Sequence, residues 1–251
     1  MQPVAERLLS SMMEFYQQNL FINVTVNDIM FKGVHVNFVP LLQTLVQTFE
    51  RFGVAGEVTA LSNSSFSFFK YLNGSPSGPY EVYTGAFGLS QLTQLKRFKE
   101  KEVLDTWSDP ECNTIRGSDG VQFSPFRKDK SKLYVFTHEL CRAVALEYKR
   151  DSDVRGIKTY RYEPVKGLFT RKSADGKCDC SDSYRCKYPG VVDLSPCWYQ
   201  SPLYGSMPHF SGDEFSELRK SIIGLKPNVS RHTSFVDLDP FTGASLRGGK
   251  R

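Results

Sequence analysis

Four of the six cysteines fall close together in the chain, in the stretch KCDCSDSYRCKYPGVVDLSPC that ends at Cys197. The other two, Cys112 and Cys141, lie well upstream, so a bond across the gap would join distant segments. An even number of cysteines is typical of a disulfide framework built in an oxidising compartment. Six cysteines allow many pairings, and the residues alone leave all of them open.

Glycosylation motifs support the same compartment. Asn-X-Ser/Thr sequons begin at Asn23, Asn63, Asn73 and Asn228. A single sequon often arises by chance, and Pro76, which directly follows the third one, weakens that site. Because the sequons agree with the cysteine count, we expect an extracellular or lumenal glycoprotein.

A cytosolic zinc site is the alternative interpretation of the same cysteines. Its four thiolates would come from Cys178, Cys180, Cys186 and Cys197. Zinc ribbons favour two close cysteine pairs, whereas here one C-x-C is followed by two isolated cysteines. A bond within the C-x-C would be strained, so each of these two cysteines should pair with a more distant partner. The spacing therefore favours disulfides and no metal site.

The composition predicts a folded body. Apolar residues make up 40% of the 251 residues and aromatic residues 13%, enough for one substantial core. The net charge of +5 is mild. Acids interrupt the two basic runs, 96–101 and 127–132, so we interpret both as solvated loops and expect no nucleic-acid partner.

Membrane and export signals are missing from the sequence. No stretch approaches the roughly 20 apolar residues needed to cross a bilayer. The first residues, MQPVAERLLSSMMEFYQ, lack the continuous apolar core of a signal peptide. Disulfides and sequons without an export signal lead us to expect a piece of a longer exported or membrane-anchored protein.

Apolar residues at helical spacing predict three helices near the N terminus. The first has its apolar stripe at Leu8, Leu9, Met12, Met13 and Tyr16. Thr25 and Asp28 resemble a capping box for a second helix, which should end near Gly33. The third begins at Pro40 and ends around Gly53.

Beyond residue 62 the chain consists of short runs rich in Tyr, Phe, Val and Thr, broken at close intervals by Gly, Pro, Asn and Asp. No helices of crossover length alternate with these runs, so the sheet should be antiparallel. We predict strands at 80–84, 132–136, 144–148, 158–162 and 234–238.

Catalytic signatures are weak. The sequence has no G-x-S-x-G, P-loop, H-E-x-x-H or G-x-G-x-x-G motif. The four histidines are isolated, and we interpret each as structural or superficial: His35, His138, His209 and His232. Asp237 and Asp239 share one face of a predicted strand, but the adjacent Pro240 favours a turn over an acid pair. We expect a protein that is not an enzyme and needs no cofactor.

Several segments are similar, in order and spacing, to those of the class B scavenger receptors. They read YEVYTG from position 80, DTW from 105, CN from 112, GSDG from 117, LCR from 140, GVVDLSPC from 190, MPHF from 207, GLKPN from 224 and HTSFVDLDPFTG from 232. This family includes fatty-acid translocase, the lysosomal integral membrane protein, croquemort and insect sensory neuron membrane proteins. The resemblance covers nearly the whole chain and is loosest before Gly78.

The resemblance implies an α+β fold, in which an irregular antiparallel β-barrel carries a helical apex and encloses a lipid tunnel. The ectodomain of such a receptor is held between two transmembrane helices. Residues 1–251 would form one partial ectodomain, with the helical apex over 1–55 and a β-rich, disulfide-bearing portion over 56–251. The disulfides of the family, carried over residue by residue, are Cys112–Cys178, Cys141–Cys197 and Cys180–Cys186.

For function, the resemblance implies binding of lipids or lipoprotein particles and transfer of lipid to the membrane, with no chemical step. Family ligands include fatty acids, sterols, carotenoids and pheromones. The implied location is the extracellular side of the plasma membrane or, alternatively, the lumenal side of the lysosomal membrane. We predict that lipid contacts the apex at Leu9, Met12, Met13, Tyr16 and Phe21, where Met adapts to varied shapes.

The chain also departs from the family pattern. Residues 17–19 read QQN where some members carry a lysine cluster, which argues against electrostatic capture of anionic particles. Residues 211–214 read SGDE in place of the usual continuation after Phe210. Because the family continues into further strands, we expect these 251 residues alone to be poorly soluble or incompletely folded.

Other functions stay open. The apex of a cell-surface or lysosomal recognition receptor would bind a protein partner, and a sensory neuron membrane protein would handle a pheromone. A secreted hydrolase would need His209 in a cleft beside an acid or a nucleophile.

Overall fold

The computed structural model describes residues 7, 10, 11, 13–15, 17, 19, 22–35, 65–69, 74, 76–169, 190–198, 203–212 and 216–250. The chain forms two compact units, Met1–Ser77 and Gly78–Arg251. The division into a helical apex over 1–55 and a β-rich portion over 56–251 stays a prediction.

The described part of the first unit combines helical segments with a short β ladder. Residues 7, 10, 11 and 13–15 are helical, in the stretch where the first helix is predicted. Asp28–Lys32 is a π-helix that ends at Gly33, whose φ of 105° suits a glycine. Strand β1 (Val34–His35) pairs antiparallel with β2 (Ser65–Phe66). The predicted second helix is thus confirmed, whereas the third, at 40–53, lies outside the described residues.

The described strands of the second unit are all paired antiparallel. They are β3 (Tyr80–Val82), β4 (Leu95–Phe98), β5 (Leu133–Thr137), β6 (Arg142–Val154), β7 (Ile157–Pro164), β8 (Val192–Asp193), β9 (Tyr204–Gly205), β10 (Phe235–Leu238) and β11 (Ser245–Gly249). The main sheet has the order β11-β10-β7-β6-β5, while β3 pairs with β4 and β8 with β9. The antiparallel sheet predicted from the sequence is confirmed.

Short helices connect these strands. The 3₁₀ segments are Leu89–Gln91, Pro110–Asn113, His138–Leu140 and Pro208–Phe210. Two short α-helices, Ser216–Lys220 and Val229–His232, precede β10. The helices of this unit are therefore connectors, and its packing is dominated by the sheet.

The hairpin of β6 and β7 is the longest pairing in the sheet. Its turn consists of Arg155 and Gly156, both with positive φ (52° and 86°), which is the backbone of a type I′ turn. Asp153 accepts a hydrogen bond from the amide of Gly156 at 2.8 Å. This local geometry sets the register of the two central strands.

The main core is built on the five-stranded sheet. Its buried residues are Phe123, Leu133, Val144, Ala145, Leu146, Tyr162, Val165, Leu168, Val236 and Leu238. A second cluster forms around Phe98 and Phe136, and a third around Trp107 and Cys112. Each of the three clusters contains at least one buried aromatic residue.

Candidate functional site

Large apolar side chains are exposed in the first unit, close to the predicted lipid-contacting residues. Phe15 is 80% exposed and Val26 is 77% exposed. We call the set the apolar segment; its members are Phe15, Ile22, Val24, Val26 and Phe31, all of which are exposed. Exposed apolar residues that form a contiguous patch mark interaction surfaces.

Hydrogen bonds fix the backbone of the C-terminal part of this segment, from Thr25 to Met30. The Asp28 amide donates to Thr25 Oγ1 at 3.1 Å, and the Thr25 hydroxyl donates to Asp28 Oδ2 at 2.6 Å. The amides of Phe68 and Phe69 donate to the carbonyls of Ile29 and Met30 at 3.0 and 2.7 Å. Because the π-helix is tied at its start and along its length, Val26 and Phe31 are held on an ordered support.

A pocket of about 450 Å³ opens beside the apolar segment. It is lined by Asn23, Val24, Thr25, Asp28, Gly33, Val34 and His35. This volume lies within the roughly 300–1,000 Å³ that is usual for small-molecule sites. The lining mixes apolar side chains with hydrogen-bonding groups, a combination that suits an amphipathic ligand.

Of the predicted lipid-contacting residues, the structure describes one. Met13 is helical and half-buried. Leu9, Met12, Tyr16 and Phe21 lie outside the described residues. Their role stays a prediction, and sequence reasoning missed the exposed Ile22, Val24 and Val26 because they follow the helical stripe rather than belong to it.

The cysteines are engaged in disulfides wherever the structure describes them. Cys141 is bonded to Cys197, and Cys112 is also disulfide-bonded. The zinc alternative requires Cys197 as a free thiolate, so the four-thiolate site is wrong. The other members of the implied pairs, Cys178, Cys180 and Cys186, lie outside the described residues, and their pairing stays a prediction.

Each of the two tryptophans of the chain donates a hydrogen bond to the backbone of the turn that contains Cys141. The indole N–H of Trp107 donates to the Cys141 carbonyl at 3.0 Å. The indole N–H of Trp198 donates to the Glu139 carbonyl at 2.9 Å. Cys141 itself has a left-handed backbone, with φ of 47°. The disulfide is thus part of a rigid corner between β5 and β6.

Two of the four sequon asparagines are described, and both are exposed: Asn23 and Asn228. Asn228 caps the helix Val229–His232, since its Oδ1 accepts from the Arg231 amide at 3.2 Å. The hydroxyl of Ser230, the third sequon residue, donates to the same Oδ1 at 2.7 Å. Both contacts use the oxygen, whereas a glycan would be linked through the amide nitrogen. Asn63 and Asn73 lie outside the described residues.

The two candidate acids, Asp237 and Asp239, stabilise the main sheet and a turn, respectively. Asp237 is fully buried and accepts two hydrogen bonds from the Arg161 guanidinium at 2.7 and 2.6 Å. Asp239 accepts from the backbone amides of Phe241 and Thr242 and from the Thr242 hydroxyl. The turn predicted after β10 is confirmed, and neither carboxylate is presented as an acid for catalysis.

Among the residues that the structure describes, His209 contacts none of the groups that a hydrolase would need. Its described contacts are the ring of His232 and the Lys226 amide, neither of which is an acid or a nucleophile. His138 Nδ1 lies 3.3 Å from the Tyr80 hydroxyl and 3.4 Å from Glu139. These contacts suit structural histidines.

The basic runs are neutralised by nearby acids. In the first run, Lys96 and Arg97 both pair with Glu81, at 3.0 and 3.2 Å, and Lys101 pairs with Asp105 at 2.9 Å. In the second, Lys130 pairs with Asp151 at 3.1 Å. Such pairing reduces the positive charge that these runs present to a polyanion.

A disulfide-bearing antiparallel sheet with exposed sequon asparagines is typical of extracellular and lumenal proteins. More specifically, the CD36 family model matches residues 1–251, and the chain belongs to that family. The class B scavenger receptor resemblance is confirmed. Within the part of the chain that the structure describes, no helix has the length and apolar character needed to span a membrane.

Three relatives illustrate the range of the family. Lysosome membrane protein 2 of Rattus norvegicus is 31% identical over 253 residues, which is 100% of this chain and 49% of that protein. Sensory neuron membrane protein 2 of Drosophila melanogaster is 31% identical over 255 residues, covering 93% of this chain and 45% of that protein. Scavenger receptor class B member 1 of Mus musculus is 30% identical over 233 residues, covering 91% and 42%. The chain spans about half the length of the curated relatives it matches.

Proposed function

We propose that this chain is the outer part of a membrane-anchored receptor that binds a lipid and passes it to the membrane, with no chemical step. The observation that carries the proposal is the apolar segment, held on a hydrogen-bonded support beside an open pocket in a disulfide-braced family member. Relatives named as a scavenger receptor and as membrane proteins agree with such a role.

The driving force is transfer of an acyl or isoprenoid chain out of water. Each buried methylene contributes about 0.8 kcal/mol. The apolar segment and the predicted helical apex receive the lipid, and a tunnel through the closed barrel of the complete ectodomain carries it to the bilayer. Fatty acids, sterols, carotenoids, pheromones and lipoprotein particles are the candidate ligands. The site faces the outside of the plasma membrane or, alternatively, the lumen of the lysosome.

The test replaces exposed apolar side chains by aspartate in the full-length receptor and measures uptake of a fluorescent fatty acid by cells. Val26→Asp is the first variant, because Val26 is largely exposed and its replacement should not disturb packing. Met12→Asp with Met13→Asp tests the predicted apex. Loss of one apolar contact, worth about 1.5 kcal/mol, should lower the apparent affinity roughly tenfold.

Phe87→Asp is the matched control, since Phe87 is 90% exposed but belongs to the second unit. It should leave uptake unchanged. Normal uptake by both the Val26 variant and the double Met variant would remove this site from the proposal. If uptake stayed normal while binding of a protein ligand was lost, the apex would be a recognition surface for a protein partner.

A further inference from the structure

Two histidines form a parallel stack in the second unit. His209 belongs to Pro208–Phe210, and His232 ends the helix Val229–His232. Their ring centroids lie 4.3 Å apart, and the ring planes differ by 3°. His209 has a left-handed backbone, with φ of 53° and ψ of 26°, which few residues other than glycine adopt. The stack therefore joins an unusual turn to the end of a helix.

Each imidazole also accepts a hydrogen bond from the backbone of the segment between them. The Lys226 amide donates to His209 Nδ1 at 3.3 Å, and the Asn228 amide donates to His232 Nδ1 at 3.0 Å. A ring nitrogen that accepts a hydrogen bond carries no proton, so this geometry requires Nδ1 of each ring to be unprotonated. Together the two bonds attach residues 226–228 to the stack.

The described charged groups on the elements around the stack are mostly cations. They are Glu217, Arg219 and Lys220 on the helix Ser216–Lys220, Lys226 in the connecting segment and Arg231 on the helix of His232. Glu217 is paired with Lys220 at 2.9 Å, and Arg219 donates to the Phe210 and Gly212 carbonyls. Asp213 and Glu214 lie outside the described residues. Four cations and one anion give this group a net charge of +3.

We propose that the stacked pair His209–His232 is a pH-sensitive latch, which holds residues 226–228 at neutral pH and releases them on acidification. A proton on Nδ1 turns the acceptor into a donor, so the hydrogen bond from Lys226 or Asn228 is lost. A second proton places two cations in a stack. Histidine is the side chain whose charge ordinarily changes between about pH 5 and 8.

Release of the held residues would change the protein surface around the connecting segment between the two short α-helices. Ile222 and Ile223, which lie shortly before the held residues, are both exposed, the latter completely. The held residues include the sequon asparagine Asn228. An acidic compartment would therefore alter how this apolar loop is presented, independently of the lipid site in the first unit.

Hydrogen–deuterium exchange read by mass spectrometry tests the latch in the complete protein. The peptide covering residues 225–231 is followed at about pH 7.5 and about pH 5.0, with correction for intrinsic exchange. Loss of the hydrogen bonds should speed the exchange of the Lys226 and Asn228 amides at acidic pH by about fivefold or more.

The double variant His209→Asn, His232→Asn keeps an acceptor oxygen near each Nδ1 position but cannot titrate. We expect its exchange to be independent of pH. His35→Asn, at an exposed histidine of the first unit, is the control and should retain the pH dependence. Equal protection of the unaltered protein at both pH values overturns the proposal, as does an unchanged pH dependence in the double variant.

A second measurement is independent of any substitution. Long-range proton–nitrogen NMR of ¹⁵N-histidine reports which ring nitrogen carries the proton. At neutral pH, both Nδ1 atoms should be unprotonated. A proton on Nδ1 of either ring at neutral pH contradicts the latch.

Discussion

The buried pair of Arg161 and Asp237 should be the most sensitive point of the main sheet. Asp237 lies on β10 directly opposite Arg161 on β7, and the side chains are 0% and 15% exposed. The two hydrogen bonds of 2.7 and 2.6 Å form a bidentate pair. The hydrogen bond to Asp237 is the main cause that raises the pKa of Arg161. Asp237→Ala leaves the guanidinium without its carboxylate.

The expected loss of stability is large. Removing one partner of a buried ion pair costs about 3–5 kcal/mol, since an uncompensated charge remains. The Arg161 guanidinium also lies 4.2 Å from the Phe235 ring centroid, and this cation–π contact persists in the variant. We therefore expect the lower end of that range, about 3 kcal/mol.

The assay is urea unfolding of the ectodomain that contains this chain, read by pulse proteolysis. Asp105→Ala is the control, because the pair of Lys101 and Asp105 has a similar length of 2.9 Å but side chains that are 52% and 82% exposed. Its loss should cost at most about 1 kcal/mol. If both variants changed the free energy of unfolding equally, the reasoning about burial would be wrong. Arg161→Met combined with Asp237→Leu should recover much of the loss.

Three further predictions follow from the described contacts. Burial acts to raise the pKa of Asp239, but hydrogen bonds from the Thr242 hydroxyl and from turn amides hold it below its usual value. Because its folded-state pKa is lowered, this carboxylate stabilises the folded protein above the unfolded-state pKa, and the stabilisation disappears as the pH falls through the folded-state pKa. The thermal denaturation midpoint of Asp239→Ala should therefore depend less on pH, below about pH 4, than that of the unaltered protein. Replacing both Cys141 and Cys197 by Ala removes a disulfide with a sequence separation of 56. This change should lower the free energy of unfolding by ~4 kcal/mol in the same urea assay. An unchanged urea midpoint would show that the disulfide does not stabilise the fold. Asn228→Gln should remove one glycan and so increase the electrophoretic mobility of the full-length protein; equal mobility before and after the change would show that this sequon is unused.

The regular strands could be predicted because their signals are local. Strands β3, β5, β7 and β10 begin within one residue of the predicted positions, since β-branched and aromatic residues mark them. The second half of β6, after Tyr148, is polar and was not predicted; it becomes a strand because the hairpin turn at Gly156 pairs it with β7. Strand β11, with the sequence SLRGG, also depends on its partner β10 rather than on its own residues.

The contacts of the candidate sites also divide into local ones, which the sequence predicts, and long-range ones, which it does not. The cap formed by Thr25 and Asp28 could be predicted because the two residues are three apart. The pairing of Arg161 with Asp237 joins residues 76 apart, and no local pattern indicates it. The stack of His209 on His232 likewise depends on how the chain folds back between two short helical segments. Contacts of this kind require the fold before they can be recognised.

Native mass spectrometry of the complete, oxidised ectodomain, purified without detergent, tests lipid binding most directly. We expect a fraction of the protein to carry an additional mass that organic extraction removes and identifies as lipid. Lipid-free protein should take up an added fatty acid, and Val26→Asp should weaken that uptake. A folded ectodomain that retains no lipid and takes up none would contradict the proposed function.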